Sequence, residues 1–197
     1  MKLFFIHFLI IFNLLFSFEQ IPLLSYSDWE ILKNNHIWIG WTEYNESQWC
    51  RAKLTIQAPL EDICSIIEDR VNYPNVFKRV ESAIIITDKI VHIVLDMPFP
   101  FFGRDYIVSY TQFQEEDDIV YRFNSLEDSG IPVHEDYVRL IHAAGEWRLH
   151  PLDGGSTEVT YTWNGELRGD FPNWALTRAW VTQGSEVLNW LQEAVQD

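Results

Sequence analysis

The sequence predicts an α+β domain in which one long C-terminal helix lies across the concave side of an antiparallel sheet. Three observations predict it. Between residues 51 and 167, runs of alternating apolar and polar residues follow one another, separated by turn-forming clusters. The last stretch instead repeats at helical spacing, with Leu176, Trp180, Gly184, Val187 or Leu188, Leu191 and Val195 on one stripe. Between them stands the corner Asp96 to Phe113, DMPFPFFGRDYIVSYTQF. Pro98 and Pro100 cannot continue a ladder of strand hydrogen bonds, and Gly103 supplies the permissive backbone from which the next strand starts.

The chain of 197 residues is 47% hydrophobic and 15% aromatic, enough for one domain with a sizeable core. Fourteen Lys and Arg against twenty-nine Asp and Glu give a formal net charge of -15. Nucleic acid is therefore excluded as a broad electrostatic partner, and any membrane contact must be local and apolar. Lys2 precedes an apolar run from Leu3 to Phe18, which at 1.5 Å per residue makes about 24 Å of helix, short of a bilayer span. The reading is a leader over residues 1–24, a signal peptide or else an uncleaved membrane anchor, followed by the domain at 25–197. The protein is accordingly expected to be exported, periplasmic or secreted. Cys50 and Cys64 are expected to stay unbridged, because a strand leaving Cys50 carries the chain roughly 20 Å away.

In chain order, Ser27-Asp28-Trp29-Glu30 has capping-box spacing and predicts a short helix to Asn34 or Asn35. Ile37–Tyr44 is extended. Arg51–Gln57 alternates as a strand with one wet side. Pro59, then Glu61 and Asp62, open a helix that ends near Asp69, and Asn72-Tyr73-Pro74 restarts one turn. Strands follow at Ala83–Thr87 and Ile90–Leu95. After the corner, Arg104, Tyr106, Val108, Tyr110 and Gln112 share one strand face, and Ile119–Phe123 pairs with them. Leu126–Pro132 is a surface loop. Tyr137–Leu149 reads as one strand with Tyr137, Arg139, Ile141, Ala143, Trp147 and Leu149 on one side. Thr157–Leu167 reads as a half-buried strand with Val159, Tyr161 and Trp163 inward. Pro172 opens the terminal helix, and Gly184 within it predicts a close approach to a neighbour or a ligand.

These residues resemble the START domains, the steroidogenic-acute-regulatory-related lipid-transfer family, and above all their phosphatidylcholine-transfer members. MPFPFFGRDYIVSY is similar to that family's strand corner, Asn72-Tyr73-Pro74 to its (D/N)YP, and Tyr137-Val138-Arg139 to its V-(I/V)-R strand. Gly145-Glu146-Trp147 with Pro151, then Gly155-Ser156-Thr157, resemble its late strands, and Gly169 to Trp174 its entry to the last helix. The resemblance spans about residues 26 to 196. It implies a helix-grip fold, in which the curved sheet wraps the C-terminal helix and encloses an internal cavity, with the loop at Leu126–Glu135 as a gate. Many members also set a carboxylate in the strand before the corner against the corner arginine; here Val94 stands near that place and Asp96 is the nearest acid.

The functional expectation is non-catalytic binding and transfer, or sensing, of a lipid or sterol-like molecule, with transient membrane contact and a monomeric carrier. The candidate ligand-binding residues are Arg104, Tyr106, Tyr110, Tyr121, Arg139, Trp147, Tyr161, Trp163, Trp180 and Leu188. The aromatic rings suit an apolar guest, and either arginine suits a phosphate or carboxylate. No cofactor, metal or catalytic residue is expected, since the chain carries no G-x-S-x-G, H-E-x-x-H, C-x-x-C or glycine-rich phosphate loop. The alternatives are a polyketide-cyclase- or hydrolase-like enzyme on the same fold, and an exported interaction protein with no ligand.

Overall fold

The computed structural model describes residues 21–126, 130–165, 167–169 and 171–196. The leader reading therefore lies outside the described residues except at positions 21–24, as do Glu127 and Asp128 of the gate loop. The strands are β1 (Glu30–Asn34), β2 (Trp38–Tyr44), β3 (Ser47–Ile56), β4 (Val80–Ile85), β5 (Ile90–Leu95), β6 (Gly103–Glu115), β7 (Asp118–Ser125), β8 (Tyr137–Arg139), β9 (Ala144–Leu152) and β10 (Ser156–Asn164). Helix α1 spans Leu60–Glu68, α2 Tyr73–Val76 and α3 Asn173–Gln196, with a 3-10 turn at Arg70–Asn72.

The ten strands form one sheet in the order β1-β2-β3-β10-β9-β7-β6-β5-β4, with β8 beside β6. All neighbours are antiparallel except β8, which runs parallel to Gly103–Asp105. β7 ends opposite Val108, and β8 takes its place beside the first residues of β6. The α+β class, the curved antiparallel sheet and the terminal helix are thus as the sequence predicts.

α3 docks on the sheet through its predicted stripe, with Trp180, Gly184, Leu188 and Leu191 buried. Gly184 is where helix and sheet come closest. A Cβ there would lie 2.9 Å from the Trp163 ring and 3.2 Å from both Ala52 and Ile39. Any larger residue would hold the helix off the sheet, which explains a glycine in mid-helix. Cys50 and Cys64 are both free thiols, and burial pushes the Cys50 thiol well above its ordinary value.

Four local readings change. The capping-box spacing at Ser27–Glu30 does not make a helix, because Glu30–Asn34 pairs with β2 as an edge strand and tertiary pairing overrides propensity. The outer face of β3 is wet only toward its end, where Thr55 and Gln57 are exposed; at its start Arg51 is buried, with Thr162 of β10, against the segment before β1. Arg51 donates to Thr162 Oγ1 at 2.9 Å and to the carbonyls of Pro22 at 2.6 Å, Leu23 at 3.2 Å and Leu24 at 3.4 Å, while its guanidinium lies 4.6 Å from the Trp29 ring. Residues 22–24, assigned to the leader from sequence, therefore pack onto the domain. Lastly, Tyr137–Leu149 is two strands, with a break between Arg139 and Ala144 that undoes the shared face.

Candidate functional site

The inner face of the sheet is paved with aromatic rings because inward positions come into register on neighbouring strands. Trp147 lies opposite Tyr161 and Tyr121, and Tyr110 opposite Phe123. Phe77, Trp147, Tyr161 and Trp163 form a continuous column, with ring centroids separated by 6.1, 4.2 and 4.9 Å in turn. Trp163 reaches the helix at Gly184. Trp180 stacks on Trp41 at 5.0 Å and donates its indole N–H to the Gly165 carbonyl at 2.8 Å, which fixes α3 against the β10 end. Leu188 is fully buried beneath the same helix.

Of the predicted site residues, Tyr110, Trp147, Tyr161, Trp163, Trp180 and Leu188 are buried in the core between sheet and α3, and Tyr106 packs against it. Tyr121 shares that inner face but is fully covered beside α1, its hydroxyl donating to Glu68 Oε1 at 2.6 Å. The two arginines do other work. Arg104 is buried, and its guanidinium donates to the carbonyls of Leu167 at 2.7 Å, Arg168 at 3.1 Å and Phe102. It thereby ties the β6 corner to the connection leading into α3, and carbonyl oxygens take the part that a carboxylate plays in the family pattern. Arg139 lies in register with Asp105, on the opposite face from Arg104, and grips that carboxylate with Nε at 2.8 Å and Nη2 at 2.6 Å. It is turned away from the interior, because residues adjacent along β6 point to opposite faces.

Tyr106 differs from its neighbours. It keeps accessible surface, whereas Trp147, Tyr161, Trp163 and Tyr110 are buried. Yet burial pushes its hydroxyl well above the ordinary tyrosine range, with Tyr161 and Tyr110 adding to the effect. Tyr106 pairs with Ile93 and, through it, lines up with Ala83, so these inner-face positions run in one row across β6, β5 and β4. Around it, Leu95, Val80 and Ala83 from β4 and β5 are likewise only partly buried.

One polar group here was not foreseen. Arg70, in the turn between α1 and α2, places its guanidinium 4.3 Å from the Tyr110 ring, and its Nε is buried without a hydrogen-bond partner. Burial pushes Tyr110 up to about 12, with the Arg70 charge and a bond to Tyr73 pulling the other way. No alternation or motif marks Arg70, because its role depends on the fold bringing α1 against β6. Trp163 Nε1 is a second buried donor without a partner. Among the described residues, no group of three or more His, Cys, Asp or Glu side chains could hold a metal ion.

Two open clefts flank this interior. One of about 460 Å³ lies between the β2–β3 hairpin and the start of α3, lined by Glu46, Gln48, Leu167, Phe171, Asn173 and Leu176 among others. The other, about 310 Å³, is on the outer face beneath Tyr26, Trp29 and Trp38. At the α3 entry, Phe101 and Phe171 meet at 4.6 Å and join the corner loop to the segment before the helix. Beside that contact Phe99 is 97% exposed, Phe102 56% and Trp174 85%.

Comparison with known proteins agrees with this geometry. A STAR-related lipid transfer protein fragment from Xanthomonas axonopodis superposes with a TM-score of 0.76 at 21% identity, covering 87% of this chain and 100% of that one. Human StAR-related lipid transfer protein 5 does so with a TM-score of 0.74 at 18% identity, covering 85% and 86%. An uncharacterized Pseudomonas aeruginosa protein is 32% identical over 102 residues, 52% of this chain and 50% of that protein, so the chain spans about half the length of the curated relative it matches. The START domain family model matches residues 68–197, from the end of α1 through the whole of α3. The chain belongs to the START domain family, and its fold is the helix grip.

Proposed function

We propose that this domain binds a hydrophobic ligand between the sheet and α3 and exchanges it at a membrane surface, without catalysing a reaction on it. The observation that carries the reading is the aromatic and aliphatic inner face under α3, on which Tyr106, Leu95, Val80 and Ala83 are only partly buried. Apolar walls with a few polar groups are how proteins hold lipids. The hydroxyls of Tyr73, Tyr106, Tyr110 and Tyr161 are all raised by burial, so at neutral pH they are hydrogen-bonding groups and not proton acceptors. Exposed Phe99, Phe102 and Trp174 supply a local apolar contact for a bilayer, as the acidic composition demands. The apolar run Leu3–Phe18 supports export of the carrier.

A second reading has one observation behind it. The stacked rings of Trp147, Tyr161 and Trp163 fill much of the space under α3, which suits an interaction protein that carries no guest. Native mass spectrometry of the gently purified full chain, followed by organic extraction, separates the two. A lipid mass adduct that extraction removes is the expected result. A mass equal to the bare chain, together with no uptake from labelled vesicles, would overturn the carrier reading.

A further inference from the structure

Six of the nine arginines have evident employment. Arg51 and Arg104 donate to backbone carbonyls, Arg79 pairs with Glu186, Arg122 with Glu146, Arg139 with Asp105, and Arg148 with Glu115, Asp118 and Glu146. Arg70, Arg168 and Arg178 have no described side-chain hydrogen bond or ion pair, and of the three only Arg70 has a buried donor, its Nε, with the guanidinium lying over the Tyr110 ring. A buried guanidinium N–H left unsatisfied is costly, and such groups in folded proteins call for a reason.

The surroundings supply one. Tyr110 projects from β6 on the same face as the partly buried Tyr106, so the cation stands at the edge of the inner face under α3. Tyr73, whose hydroxyl donates to the Ile67 carbonyl at 2.7 Å, lies next to the Tyr110 hydroxyl. Beyond Tyr106 the inner face is apolar, through Ile93, Val91 and Leu95. A cation with free donors at one end and hydrocarbon walls at the other matches a molecule with an anionic head and an apolar tail. The chain's overall charge of -15 repels anions at long range, so recognition of one requires a local cation of this kind.

Resting on the carrier reading above, we propose that Arg70 is the head-group anchor, and that the ligand is an anionic amphiphile whose carboxylate or phosphate is held by Nε and a terminal nitrogen of Arg70. Side-on pairing of this sort is bidentate, and the Tyr110 ring keeps the guanidinium in place for it.

The test measures binding of cis-parinaric acid, its methyl ester and a fluorescent phosphatidic acid to the full chain, as wild type, Arg70→Met and Arg70→Lys, with near-ultraviolet circular dichroism as the check on folding. Arg70→Met is expected to weaken at least one of the two anionic probes about tenfold or more while the ester changes by less than about twofold, and Arg70→Lys to recover part of the loss. Loss confined to parinaric acid identifies a carboxylate, and loss confined to phosphatidic acid a phosphate. Equal loss for anions and ester, or no loss for either anion, overturns the anchor. Failure of the wild type to bind any of the three overturns the carrier reading instead.

Discussion

Arg139 holds Asp105 through two nearly parallel contacts, Nε to Oδ1 at 2.8 Å and Nη2 to Oδ2 at 2.6 Å, while His92 Nε2 lies 2.9 Å from Oδ2 on the other side. The three residues come from β8, β6 and β5, so the cluster fastens the parallel strand β8 to the sheet. Burial alone would raise the Asp105 pKa, but the bonds to Arg139 and His92 outweigh it and hold the carboxyl below its ordinary value. A group with a lowered folded pKa stabilises fully above the unfolded value, near ~4, and loses that contribution as pH falls through the folded one. Urea midpoints measured from pH 6 down to pH 2 are therefore expected to drop, and to drop less steeply in Asp105→Asn. Arg139→Met leaves the carboxylate buried without its partner and is expected to cost about 3 kcal/mol at neutral pH.

Arg104→Met tests whether the corner arginine serves the fold or the ligand. It removes donors from the carbonyls of Leu167 and Arg168, so the β10–α3 connection loses its tie to β6. The expected cost is roughly 2–4 kcal/mol of stability, by denaturant titration, with anionic and neutral ligands weakened alike. A selective loss of anionic ligands would return Arg104 to the binding site.

Much of this was legible in the sequence, and the exceptions have physical causes. The stripe on α3, the strand that follows Gly103 and the inward set of β10 are patterns of period 3.6 and 2, which the chain writes locally. The partners of Arg104, Arg139 and Arg70 are not local. Arg104 and Arg139 look alike as lone cations in apolar strands, and the break after Arg139 and the parallel pairing of β8 decide that one meets carbonyls and the other Asp105. Arg70 lies in a three-residue turn with no periodicity, so its position beside Tyr110 emerges only once α1 is packed against the sheet. Burial of Arg51 likewise depends on the segment at 22–29 folding back over β3.

Gly184→Val tests the closest approach of helix and sheet. The Trp163 ring it would meet is stacked on Tyr161 at 14° and cannot swing aside. Overpacking at such a point costs about 1–3 kcal/mol; in Gly184→Ala the helix gains up to ~1 kcal/mol in propensity, so the smaller substitution is the milder of the two. Thermal unfolding followed by tryptophan fluorescence is expected to rank wild type above Ala, and Ala above Val. The reverse order would mean that α3 rides loosely over the sheet.

Trp174 and Phe99 test where the domain meets a membrane. Both side chains are almost fully exposed, and the Phe101–Phe171 ring contact sets their segments side by side at the entry to α3. A tryptophan at a bilayer interface keeps its ring in the head-group layer and its N–H hydrated, so it anchors without help from charge. Removing one such ring forfeits about 1.5–3 kcal/mol of burial, roughly a tenfold or greater loss of vesicle association. Trp174→Ala and Phe99→Ala are therefore expected to reduce sedimentation with phosphatidylcholine vesicles and to slow ligand delivery to them. Affinity for cis-parinaric acid methyl ester in vesicle-free solution should be unchanged, because neither side chain faces the interior. Delivery that slows only as far as affinity falls would place these residues in the binding site and leave the membrane contact elsewhere.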